Sequence, residues 1–436
     1  MIMKHVNYIF ALAVISTSIL AAIAAIIFQW CIVFFYRISF QHSFGFDFSL
    51  SESESSNDIG FWIIITLPLC SLIVTYLIHN FFKEAKGHGI IIVTDAIKYK
   101  KSYLSPAIIY IKTIASAISI GSGGSCGPEG PTVQICSAIG SLQTYYATKL
   151  NGIQRSTLIC CGTAAGYSAV FNAPLSGMLF AIELLLPVIE FSTIVPIMTA
   201  AIISYNIKLL LVGPSYIFKF EQLLIDISSK QLFLFAIIGI VTGIFAGLFT
   251  LTLNFMEKSF HSLKYNSYVK HAAGMLVVGC CLYFMRNITG NYYFEGEGIY
   301  IVQQIINNKI VSLPFILLLF ALKFLLTSIT LGSGASGGTH APSLFMGACL
   351  GAALHMTLDK FNLVEGIPQV VFVMAGIASF VGAATGAAIT ACILIIETTT
   401  YYTLMLPVSI SVCLSAGVRM FLTKQTIYNL QYEKKI

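Results

Sequence analysis

Hydrophobic residues run through this chain in long blocks instead of recurring on one face of short elements. From Val6 to Tyr36 no Asp, Glu, Lys or Arg occurs. That run exceeds the roughly 7–15-residue core of a signal peptide and is ample for the ~20 residues that cross a bilayer as a helix. It predicts a first membrane helix over 6–36, retained in the mature protein. Further apolar blocks fall near 60–82, 105–120, 131–150, 157–186, 191–212, 231–255, 270–285, 313–330, 341–358, 368–396 and 403–422. Several are too short or too broken for simple spans, as half-helices lining a cavity would be. The serine- and acid-rich stretch 49–58 reads as a solvated loop.

The blocks repeat. G-S-G-G-S-C-G-P-E-G-P-T-V-Q starts at Gly121 and G-S-G-A-S-G-G-T-H-A-P-S-L-F at Gly332, 211 residues later. In register, Gly121, Ser122, Gly123, Ser125, Gly127 and Pro131 face Gly332, Ser333, Gly334, Ser336, Gly338 and Pro342. Gly162 matches Gly376, and Glu183 matches Glu397, at an offset of 214. Paired, glycine-interrupted hydrophobic segments point to a transporter whose binding site lies between two repeats. The expected architecture is all-α and polytopic, with two inverted halves over about 60–212 and 231–424 plus the N-terminal helix 6–36. No soluble domain is expected before or after them.

Composition narrows the class. The chain is 57% hydrophobic and 10% charged, with mean hydropathy +0.86, outside the range of soluble domains. The partner it implies is a lipid bilayer. Its net charge of +6 comes without a basic cluster interleaved with aromatics, so no nucleic acid is expected. The loop after the first span carries Asp47, Glu52, Glu54 and Asp58, and the next carries Lys83, Lys86, Lys98, Lys100 and Lys101. The positive-inside rule then places both termini in the cytoplasm, and Lys424, Lys434 and Lys435 agree. The eleven cysteines lack metal-ligand spacing and read as small buried hydrophobes. Neither a metal nor a cofactor is expected.

Glycine and serine ahead of Pro131 and Pro342 set an irregular, closely approached backbone just before a helix start. Unpaired N–H groups there attract an anion, with a dipole contribution of about 0.3–2 kcal/mol. Two such ends would hold a dehydrated anion without the fixed cation that would bind it too tightly to release. Close helix packing is the plainer role for the same glycines. Glu129 lies inside the first signature, where a carboxylate costs about 2.5–3.5 kcal/mol to place in the membrane. Ionised, it occupies the N–H groups an anion wants; protonated, it releases them. The plainer role is an N-terminal cap.

These residues resemble the CLC family of chloride channels and chloride/proton exchangers. The family's G-[RK]-E-G-P appears as Gly127-Pro128-Glu129-Gly130-Pro131, its G-x-F-A-P as Gly338-Thr339-His340-Ala341-Pro342, and its G-S-G-x-P as Gly87-His88-Gly89-Ile90-Ile91. Phe171-Asn172-Ala173-Pro174-Leu175 and Tyr428 extend the match, which covers about Lys86 to Tyr428. The resemblance implies a multi-pass homodimer of a bacterial cell membrane, each subunit with its own pathway for chloride and other small anions. It implies Glu129 as the gating and proton-transfer glutamate. Gly87, His88, Gly89, Gly127, Gly130, Thr339, His340 and Tyr428 become the anion-binding positions. The Thr339 and His340 amides would be the chloride donors, and Tyr428 would turn its hydroxyl to the ion.

Departures mark the comparison. His88 stands where the family has a chloride-coordinating serine, and there it is a hydrogen-bond donor, a titrating group or a passive helix-end donor. Ile91 replaces proline, Pro128 a basic residue and His340 the usual Phe. Leu184 stands where exchangers often carry an internal proton-transfer glutamate. Proton-coupled antiport is the expected function, with a passive, proton-gated channel as the alternative. Glu183 and Glu397, matched across the repeats, are expected to be structural. A remote third reading, an intramembrane serine protease at Gly334-Ala335-Ser336-Gly337, needs a base positioned on Ser336; the chain is not expected to be an enzyme.

Overall fold

The computed structural model describes residues 2–41, 60–146, 150–214, 217–219, 228 and 231–429. The acidic loop residues Asp47 to Asp58 and the tail lysines Lys434 and Lys435 lie outside the described residues. The first eight helices are α1 (Ile2–Tyr36), α2 (Ile63–Asn80), α3 (Ile90–Tyr99), α4 (Ala107–Gly121), α5 (Glu129–Tyr146), α6 (Gly152–Phe171), α7 (Pro174–Leu184) and α8 (Phe191–Val212). The next eight are α9 (Leu232–Ser262), α10 (Ser267–Thr289), α11 (Ile299–Ile306), α12 (Leu313–Ser333), α13 (His340–Asp359), α14 (Gln369–Thr385), α15 (Ala388–Thr399) and α16 (Met405–Leu422). Among the described residues, eight helices are long and apolar enough to cross a membrane. The fold is all-helical, and the chain is a multi-pass membrane protein.

Two apolar blocks that read as single segments, 157–186 and 368–396, are each two helices. The first breaks where Asn172 takes a left-handed conformation (φ 53°) and Pro174 opens the first turn of α7. The second breaks at Gly386 (φ 82°), 214 residues after Asn172. Short α3 and α11 went unseen in the hydrophobic pattern, because each follows a left-handed glycine, Gly89 (φ 82°) or Gly298 (φ 78°), and spans too few residues for a membrane block.

Matched residues fall on helices of the same rank in each set of eight. Glu129 and His340 open α5 and α13, Gly162 and Gly376 lie on α6 and α14, and Glu183 and Glu397 lie on α7 and α15. Gly162 and Gly376 serve packing: a Cβ on Gly162 would strike the Cys136 carbonyl of α5, and one on Gly376 the Gly347 carbonyl of α13. Such close approach is how membrane helices gain van der Waals contact without a hydrophobic driving force.

Glu183 and Glu397 hold the structural role expected of them, by capping each other's helices. Leu175 N (2.8 Å), Ser176 N (2.7 Å) and Ser176 Oγ (2.6 Å) donate to Glu397, which caps the start of α7. Ile389 N (3.1 Å), Thr390 N (3.0 Å) and Thr390 Oγ1 (2.8 Å) donate to Glu183, which caps α15. At 11 and 12 residues, α7 and α15 reach only about 17 Å each. Their ends therefore fall where bulk water does not satisfy them, and the carboxylates do.

Candidate functional site

The two signatures that sequence alone aligns in register meet each other in space. Gly127 N donates to Gly338 O (2.8 Å) and Gly338 N to Gly127 O (2.6 Å), a two-way backbone bridge between the repeats. Gly87 joins the second signature through Gly87 N to Ala335 O (3.1 Å) and Gly337 N to Gly87 O (3.4 Å). A Cβ on Gly130 would collide with the His88 carbonyl and sit against Gly338, so only glycine lets the three loops close together.

Side chains lock this junction with the same symmetry. Ser125 Oγ lies 2.9 Å from Thr327 Oγ1 of α12, and Ser336 Oγ lies 2.8 Å from Ser116 Oγ of α4. Both partners are shifted by 211 residues. Ser336 Oγ also donates to Ala85 O at 2.7 Å. Its hydroxyl is therefore engaged with a carbonyl and a serine, where the protease reading needs a positioned base.

Two buried lysines pin the loops that precede α3 and α11, and neither was singled out from the sequence. Lys112 Nζ donates to Ala85 O (2.9 Å) and Gly87 O. Lys323 Nζ donates to Phe294 O (3.1 Å) and Gly296 O (2.9 Å) and lies over the Phe345 ring. A buried ammonium persists only with such partners. The signal was available, since Lys112 and Lys323 are themselves 211 apart.

Around the junction three helix starts converge: α3 behind Gly89, α5 at Glu129 and α13 at His340. Glu129 is 4% exposed, and one carboxylate oxygen accepts from Ala341 N at 3.3 Å. The carboxylate thus covers an amide in the first turn of α13, where the early N–H groups have no helical partner. Thr339 precedes α13 without a side-chain bond to its first turn, and His340 is the first residue of the helix. Tyr428 is held by Ile427 N to Ala384 O (3.0 Å) just before it. Its ring meets His88 at 5.5 Å and Phe180 of α7 at 6.3 Å. Gly87, His88, Gly89, Gly127, Gly130, Thr339, His340, Glu129 and Tyr428 therefore form one constellation. Leu184 lies apart, half-buried at the end of α7, one turn beyond Phe180.

His88 faces a cavity of about 310 Å³, lined also by Lys83, Lys86, Glu84, Glu257 and Leu331. Glu84 is paired with Lys100 at 2.8 Å. Among the described residues, His88 Nδ1, His340 Nδ1 and Gln134 Oε1 are buried atoms without a hydrogen-bond partner. Thr339 Oγ1 is a fourth such atom at this junction, and buried polar atoms left unpaired are uncommon enough in a packed core to need an explanation. No group of metal ligands occurs among the described residues.

Residues 70–419 match the voltage gated chloride channel family. The H(+)/Cl(-) exchange transporter ClcA of Vibrio parahaemolyticus is 29% identical over 387 residues, covering 87% of this chain and 81% of that protein. The same-named transporter of Vibrio vulnificus is 29% identical over 366 residues, 83% of this chain and 77% of its own. Among solved structures, a slow cyanobacterial Cl-/H+ antiporter superposes with a TM-score of 0.85 at 21% identity, covering 98% of this chain and 97% of that one. A CLC-type fluoride/proton antiporter gives 0.78 at 21% identity, with 97% of each chain covered. With the matched segment spanning both signatures and every helix after α1, fifteen of the sixteen in full or in part, the chain belongs to the voltage gated chloride channel (CLC) family.

Proposed function

We propose that this protein exchanges chloride for protons across the membrane, with Glu129 as the gate. The observation that carries the reading is the Glu129 carboxylate on the Ala341 amide. An anion arriving at the start of α13 competes with that carboxylate for the same donors, and a proton on Glu129 settles the competition in the anion's favour. Thr339 and His340 amides, the glycines of the three loops and the Tyr428 hydroxyl then surround the ion, with His88 at the inner approach. The exchangers among its relatives favour antiport over passive conduction. Leu184, apolar where many exchangers carry an acid, is the observation that favours a channel.

The same proposal places the inner mouth, with Lys83 and Lys86, and both termini in the cytoplasm of a bacterial cell. It divides the chain into inverted halves of eight helices each, so that the N-terminal helix α1 is the counterpart of α9 and part of the first half. A homodimer would cover the outer faces of the short helices α7 and α15.

The test uses purified protein in liposomes loaded with chloride and diluted into low chloride. Antiport drives protons inward against no proton gradient, seen as a rise in external pH. Chloride efflux without that rise identifies a channel. Glu129→Gln should reduce proton movement to background, about 100-fold or more, while chloride efflux persists. A variant that couples like the unmodified protein removes the gate assignment.

A further inference from the structure

Tyr167 of α6 and His340 are both 1% exposed, and the Tyr167 hydroxyl lies 3.2 Å from His340 Nε2. The pair sits in an aromatic box. Tyr167 stacks on Phe180 at 4.6 Å and packs on Phe171 at 4.5 Å, and the His340 ring lies 5.1 Å from Phe171. Phenylalanine at both places would fill this box with no polar atom to satisfy, whereas a buried hydroxyl and imidazole are costly unless bonded. One atom is not bonded: His340 Nδ1 is buried without a partner. The next residue along, Ala341, donates the amide that holds the Glu129 carboxylate. On the far side, Phe180 lies one turn before Leu184 on α7.

We propose that His340 Nδ1 is a proton station between Glu129 and the inner side of this transporter, with Tyr167 as the positioning residue that fixes its tautomer. This rests on the antiport reading above. With Nε2–H donating to the Tyr167 oxygen, Nδ1 carries the free lone pair. When the protonated Glu129 carboxyl meets it, the O–H bond breaks and an N–H bond forms, leaving a carboxylate and an imidazolium. The same proton later leaves Nδ1 for a water entering from the His88 side, and the neutral ring is restored with its Nε2–H unchanged.

The charged and titratable neighbours are few. Glu129 comes from α5 and Tyr167 from α6. Tyr428 and, against it, His88 close the inner side, and Lys323 of α12 is bound to Phe294 O and Gly296 O. On α7 the acid Glu183 is committed to capping α15. Along α14, which packs on α13, no residue titrates.

The experiment measures protons moved per chloride in liposomes, for the unmodified chain and for His340→Phe, His340→Gln and Tyr167→Phe. Gln retains a hydrogen bond to Tyr167 but has no basic nitrogen, so a fold defect and a lost proton station separate. Both His340 variants should lower the proton-to-chloride ratio by about tenfold or more. Tyr167→Phe should lower it less and shift its dependence on internal pH. Ratios equal to that of the unmodified chain in the His340 variants overturn the proposal. So do proton and chloride rates that fall together at constant ratio, which would make His340 an anion ligand only. If the unmodified chain moves no protons, the antiport reading itself fails and the station falls with it; coupling intact in every variant removes the station alone.

Discussion

Two pairs of helices in this molecule place a glutamate at the start of a partner helix, and they do it differently. Between α7 and α15 the arrangement is the same in both directions, with three donors on each carboxylate at 2.6–2.8 Å for Glu397 and 2.8–3.1 Å for Glu183. Between α5 and α13 it runs one way only. Glu129 accepts a single bond across the junction, Ala341 N at 3.3 Å, and the matching position in the second half is His340. A carboxylate saturated by amides and a hydroxyl is a permanent part of the fold. A carboxylate tied to its partner helix by one long bond, over donors an anion can use, is replaceable. Duplication supplied one device twice, and function lies where the copies diverged.

The contrast breaks most visibly on removing the carboxylates. Glu397→Ala removes the partner of two amides and a hydroxyl at the start of α7, where Ser176 is buried, and with charge-assisted bonds at about 1.5–3 kcal/mol the expected loss is about 3 kcal/mol. Thermal unfolding in detergent should show a clear fall in midpoint. Glu129→Ala should lower the midpoint far less, because a weakly held buried carboxylate offsets its own bond by its desolvation. Equal losses at the two sites would erase the distinction between cap and gate.

Acidity sharpens the same comparison at a smaller scale. Protonating Glu129 frees Ala341 N–H for an anion, so chloride efflux should rise as pH falls and be lost as pH rises. The rise should be several-fold, should disappear in Glu129→Gln, and should remain in a Glu397→Gln protein that still folds. A rise that survives Glu129→Gln would move the acid response to another group, with His88 next in line.

Much of this was legible in the sequence, and what was missed has physical causes. The signatures, their register and the glutamate within the first are local patterns, and so are the long apolar helices. The breaks at Asn172 and Gly386 were hidden because apolar residues continue on both sides of them, and hydropathy is blind to a single left-handed residue. Helices α3 and α11 are shorter than any membrane-length block. The bond between Tyr167 and His340 joins residues 173 apart with no shared repeat position, so nothing in either neighbourhood announces it. The lysine pair differs: the 211-residue offset that aligned the glycines also aligns Lys112 with Lys323.

The finest test of symmetry is the hydroxyl on each cap. Ser176 Oγ donates to Glu397 at 2.6 Å and Thr390 Oγ1 to Glu183 at 2.8 Å, and the two residues are 214 apart, the offset of the glutamates themselves. Each hydroxyl adds to two amide bonds that remain when it is removed. Ser176→Ala and Thr390→Ala should therefore cost about 1 kcal/mol apiece. With no shared partner between the two caps, the double variant should lose the sum, to within about 0.5 kcal/mol. Coupling beyond that would mean that α7 and α15 form one cooperative unit. Neither substitution touches Glu129, so protons moved per chloride should stay at the unmodified value. A change in that ratio would join the two regions mechanically: loosening a cap would then reach, through Phe180 on α7, the aromatic box around His340.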